Sequence, residues 1–157
     1  MPDPFVIPPQ LWFGLLCEGF EIDQRGRFNV QAVFNQVTYV RPPEATGIRP
    51  HGPLHALLVV GFTRGMGNFA VDVDLCDLDG NVLWTRPEGQ WTFVLTPGAE
   101  SSAVLMDRVQ YWFSETGRYY YRLRLHPIGS EERIHFEVAE QPGPVVLAPG
   151  HGPGQGQ

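Results

Sequence analysis

One stretch, Phe113 to His126 (FSETGRYYYRLRLH), limits what this chain can fold into more than any other. After a turn ending at Gly117, Tyr119, Tyr121, Leu123 and Leu125 alternate with Tyr120, Arg122, Arg124 and His126. A period of two is the signature of a β-strand, because successive side chains leave opposite faces. One face is aromatic and aliphatic, the other largely cationic. Such a strand buries one side and wets the other, as strands of antiparallel sheets do.

Other segments repeat the pattern. Leu11 to Ile22 is an apolar strand in which Gly14 and Gly19 point to bulges or close backbone approach. Asp23-Gln24-Arg25-Gly26 turns the chain, and Arg27 to Val40 returns as the second arm of a hairpin, broken near Asn35-Gln36. Residues 41–53, rich in proline, form a long connection. Further strands are expected at 54–62, 69–76, 82–85, 91–95, 103–113 and 133–139, with Phe69, Val71, Val73 and Leu75 facing inward. Asp79-Gly80 supplies a hairpin turn. The reading is all-β: a two-sheet antiparallel β-sandwich of the immunoglobulin or C2-like kind, with about eight or nine strands. Residues 1–10 form a Pro-rich segment, 11–140 a single domain, and 141–157 a Gly/Pro-rich tail that buries too little to order itself.

The last two strands admit a specific register. Pairing Leu125 with Ile134 and Leu123 with Phe136 keeps the apolar faces together. It sets Arg122 opposite Glu137 and Arg124 opposite His135.

Composition excludes several chemistries. A chain of 157 residues with a net charge of -6 lacks the cationic excess that phosphate binding needs, so no nucleic-acid partner is expected. All 11 basic residues are arginines, which removes Schiff-base and phosphate-loop lysines. Cys17 and Cys76 lack the spacing of a redox or zinc motif and read as buried thiols, although a disulfide between them stays open. The N-terminal stretch has no basic region ahead of its apolar residues, and no run reaches transmembrane length. Cytoplasmic residence without membrane contact is the expectation.

Three pieces carry a resemblance: residues 16–37 (LCEGFEIDQRGRFNVQAVFNQV), 71–84 (VDVDLCDLDGNVLW), and 113–125 with the return strand IHFEV at 134–138. The leucine–cysteine opening, the Asp-rich glycine turn, and the Phe113, Gly117, Tyr119 entry to a late strand make the chain similar to a bacterial family of small β-sandwich proteins known only as a domain of unknown function. The resemblance spans most of residues 11–139. It implies a sandwich and brings no catalytic residues.

Asp72, Asp74, Asp77 and Asp79 suggest calcium, but an EF-hand frame placing Gly80 sixth puts Leu75 at the first ligand and Arg86 at the last. The run therefore reads as solvated charge and turn chemistry, with calcium as the lesser alternative. His51, His55, His126, His135 and His151 offer no evident third and fourth ligand for zinc. None of the serines, Ser101, Ser102, Ser114 and Ser130, lies in a nucleophile elbow. No catalytic, cofactor-binding or metal residues are assigned.

What remains is the wet face of the last hairpin. Tyr120, Arg122, Arg124, His126 and His135 are of types that anchor interfaces. The functional expectation is a non-enzymatic interaction or scaffold module of a bacterial protein assembly that contacts a protein partner or a second copy through that face or an edge strand. The alternative is a carbohydrate- or small-ligand-binding module using exposed Trp and Tyr; a His/Asp enzyme site at one end of the sandwich is a third reading.

Overall fold

A computed structural model describes residues 6–39, 56–98, 101–108, 111, 113 and 115–140. Every regular element among them is a strand. In chain order these are β1 (Gln10–Cys17), β2 (Gly19–Ile22), β3 (Phe28–Gln31), β4 (Gln36–Tyr39), β5 (Leu57–Thr63), β6 (Gly67–Asp77), β7 (Val82–Thr85), β8 (Trp91–Leu95), β9 (Ser102–Arg108), β10 (Gly117–His126) and β11 (Ser130–Glu140). They form a six-stranded sheet ordered β4-β11-β10-β6-β7, with β8 also on β6, a three-stranded sheet β1-β5-β9, and the separate hairpin β2-β3.

The two larger sheets meet over one core. Tyr119, Tyr121, Leu123 and Leu125 of β10 join Val71, Val73 and Leu75 of β6 against Leu16 of β1 and Leu58, Val60 and Phe62 of β5. Each fully buried aliphatic side chain is worth roughly 1.5–3 kcal/mol, so this seam outweighs any surface ion pair. Gly14 allows the sheets to approach: a Cβ there would run into the Ile134 side chain of β11. Asp107 of β9 accepts a 2.5 Å bond from Arg86 Nε, just beyond β7, and ties the sheets along one margin.

β5 is apolar from Leu57 to Phe62 because both its faces are covered. Leu58, Val60 and Phe62 face the main core, while Val59 joins Cys17 and Phe20 in a second cluster beneath the β2-β3 hairpin. A strand buried on both sides has no wet face to alternate with.

The all-β class is borne out, and several details differ. The expected strand at 11–22 breaks at Glu18, and 27–40 breaks between Ala32 and Asn35, so eleven strands stand among the described residues. The hairpin does form, but through β2 and β3, while β1 pairs with β5. One pairing is parallel: β4 lies beside β11, Gln36 opposite Glu137. The bulge in β1 falls between Leu11 and Phe13, at Trp12, not at a glycine.

The last hairpin also needs correction. Tyr121 stands opposite Ile134, Tyr119 opposite Phe136, Arg118 opposite Glu137, and Tyr120 opposite His135. The shift from the expected register is even, so the apolar faces stay together, but the Arg122–Glu137 and Arg124–His135 pairs do not exist. The cause is a tighter turn. Gly129, with φ 78°, closes it, and Ser130 already belongs to β11. Every residue from Ser130 to Arg133 is exposed. Solvated strand and turn share a polar composition, which is why that segment read as turn. Residues 41–53 and 141–157 lie outside the described residues; in the Pro-rich N-terminal segment, Ile7 bridges Met66.

Candidate functional site

The outer face of the six-stranded sheet collects the polar half of the alternation. β10 lies between β6 and β11, with Arg122 opposite both Asp74 and Arg133, Arg124 opposite Asp72 and Glu131, and Tyr120 opposite Cys76 and His135. Directly paired residues share a face, so Tyr120, Arg122, Arg124, His126 and His135 stand on one side of the sheet.

Asp74 is the centre. Its residue is 2% exposed, the only charged side chain in the buried set among the described residues. Its Oδ2 accepts from Arg122 Nη2 at 2.8 Å and from Arg124 Nη2 at 3.1 Å, and its Oδ1 accepts from Thr85 Oγ1 at 2.8 Å. A buried carboxylate is tolerated only with such partners. The bond to Asp74 raises the Arg122 guanidinium above its ordinary range, against burial. Arg122 Nε is buried with no hydrogen-bond partner among the described residues.

Asp72 forms an outer tier. Gln90 Nε2 donates to it at 2.9 Å and His126 Nε2 lies 2.7 Å away. These two bonds, that to Gln90 first, hold the Asp72 carboxyl below the usual aspartate range.

Tyr120 departs from expectation. It lies on the polar face yet is 3% exposed. Arg133 stacks over its ring at 4.7 Å, and the His135 ring centroid lies 5.3 Å away. Burial pushes its hydroxyl up, and burial likewise pushes up the thiol of Cys76, which stands opposite it on β6. Arg133, which donates to Glu131 at 2.8 Å, was missed from the sequence. Its alternation on β11 was visible there; the register that sets it over Tyr120 was not.

The other candidate residues find local uses. Asp77 accepts from the Asn81 backbone and side chain within the β6–β7 turn. Cys17 and Cys76 are free thiols, one under the β2-β3 hairpin, the other on the outer face of the larger sheet. Among the described residues no group of three or more His, Cys, Asp or Glu is placed to hold a metal ion. Of the tryptophans described, Trp91 is buried, Trp84 half-buried and Trp12 exposed. No helix among them is long and apolar enough to cross a membrane.

No family model, curated protein or solved structure matches this chain.

Proposed function

We propose that this chain is a two-sheet β-sandwich of the immunoglobulin or C2-like kind, related to the bacterial family of unknown function that its strand and turn motifs resemble, and that it works without catalysis as an interaction module. In this reading it serves a cytoplasmic protein assembly, where its two unpaired thiols are at home. The partner, another protein or a second copy, seats on the outer face of β6, β10 and β11.

One observation carries the reading. Asp74 holds Arg122 and Arg124 in fixed positions, while the Arg124 side chain remains 46% exposed and the Arg133 side chain 50% exposed. Long side chains lose about 0.5–1.5 kcal/mol each when an interface immobilises them, and a guanidinium already held in place loses less. Arg and Tyr are also the types that concentrate binding energy at interface centres.

The test is affinity capture with the full chain and with Arg124→Ala/Arg133→Ala. Loss of a captured partner, or of self-association in light scattering, is expected with the chain still folded and its thermal midpoint lowered by only a few degrees. Capture that survives the double substitution contradicts the assignment of this face.

A second reading rests on Trp12, which is 55% exposed and whose ring centroid stands 5.3 Å from that of Phe28. An exposed indole face suits a sugar ring or other small ligand. Quenching of Trp fluorescence by a glycan, abolished by Trp12→Ala, would favour it over the protein partner.

A further inference from the structure

The β2-β3 hairpin has an unusual attachment. Among the described residues its two strands pair with each other and with no strand of either larger sheet. Its backbone ties to the body cluster at one end: Phe34 N donates to Leu16 O at 2.9 Å, and Glu18 N to Gln31 O at 3.0 Å. The chain enters and leaves the hairpin between these two bonds. There β1 ends at Cys17 and β2 begins at Gly19, and Ala32 sits at φ 49°, in the left-handed region that costs a non-glycine residue roughly 1–2 kcal/mol.

Beyond that end, among the described residues, the hairpin is held by side chains alone. Phe20 is its one buried residue; Phe28 and Val30 are only partly buried, and Ile22 at the far end is 53% exposed. Beneath them, Cys17 and Val59 are completely buried. An isolated two-stranded hairpin is marginal in water, so this one owes its place to a thin aromatic layer. The sheet below does not depend on it, because β5 stays hydrogen-bonded to β1 and β9 on its two edges.

We infer that the β2-β3 hairpin is a hinged lid, which swings as a unit about Gly19 and Ala32 and uncovers Cys17 and Val59 while the sheet beneath remains folded. The motion is a local opening of the kind that weakly attached supersecondary units undergo. While the lid is shut, burial keeps the Cys17 thiol protonated and unreactive. Opening gives it water and reagent together.

The test uses the unmodified chain. Pulsed alkylation with N-ethylmaleimide, read by peptide mass spectrometry, follows Cys17, and hydrogen exchange follows the backbone. Cys17 is expected to be alkylated at least tenfold faster than global unfolding allows, while the Val59 amide and the β10–β11 amides remain protected. Phe28→Ala, which thins the aromatic layer, is expected to accelerate Cys17 alkylation about a further tenfold without changing exchange in β10 and β11. Alkylation of Cys17 at the global unfolding rate, with β2-β3 amides exchanging in step with β10–β11, would overturn the lid. So would loss of Val59 protection together with Cys17 labelling, because the sheet and not the hairpin would then be opening.

Discussion

Replacing Asp74 with Ala removes the acceptor on which the outer face converges. Three bonds are lost at once, from Arg122, Arg124 and Thr85. Their weights differ. The Arg122 side chain is only 18% exposed, and a hydrogen bond to a charged group in such a place contributes about 1.5–3 kcal/mol. The Arg124 side chain is nearly half exposed, so solvent screening holds its share to about 1 kcal/mol or less. The Thr85 bond adds about 1 kcal/mol. A partly buried Arg122 left facing Arg133 adds like-charge repulsion across the strands. A loss of about 3 kcal/mol is expected, which at a urea m-value of 1–3 kcal/mol/M moves the midpoint down by roughly 1–3 M. Trp fluorescence is a suitable probe, because Trp91 is buried in the core. A double-mutant cycle with Arg122→Ala should return a coupling of about 1 kcal/mol or more. A loss under about 0.5 kcal/mol, typical of an exposed surface site, would refute the claim that Asp74 is a buried organiser of this face.

Three further outcomes follow from the same geometry. Tyr120→Ala should cost about 3–5 kcal/mol in chemical denaturation, as truncation of a large buried aromatic does, and not the near-zero cost of a wet-face residue. Gly14→Ala should destabilise by about 1–3 kcal/mol, because the added methyl meets Ile134 between two packed sheets, and Ile134→Val should recover part of that loss. Asp72 has a depressed folded-state pKa, so its stabilisation is present above the unfolded value of roughly 3.9 and fades as pH falls through the folded value. Asp72→Asn should therefore cost its full, constant amount above about pH 4 and progressively less below it, which flattens the acid limb of the stability–pH curve.

How far the sequence revealed this depends on how local each cause is. Tyr119 to Leu125 declared their faces because alternation is a property of one strand, and all four inward residues are buried. The β10–β11 register was not local. It depended on whether Ser130-Glu131-Glu132-Arg133 was turn or solvated strand, and composition does not separate the two. Gly129 was the available signal, as the residue that can close a short turn with positive φ. The polar face was legible as a set of residues but not as a network. Asp72 and Asp74 looked like free charge because their Arg and His partners come from β10, some fifty residues away. Tyr120 looked exposed because parity assigns a side to a residue and says nothing of what a neighbouring strand lays over it. Here Arg133 and His135 do so. The unbroken apolar run of β5 did carry the information that both its faces are covered; the second cover, the β2-β3 hairpin, lies far from it in sequence.

Hydroxyl-radical footprinting of the chain with its captured partner tests the interaction face most directly. It reads side-chain exposure, and His126 and His135 on the outer face are both exposed in the free chain, as are Trp12 and Met106 on the three-stranded sheet. If the outer face of β6, β10 and β11 seats the partner, oxidation of His126 and His135 falls severalfold in the complex while Trp12 and Met106 are oxidised as before. Protection of Trp12 or Met106 with His126 and His135 unchanged would contradict that assignment.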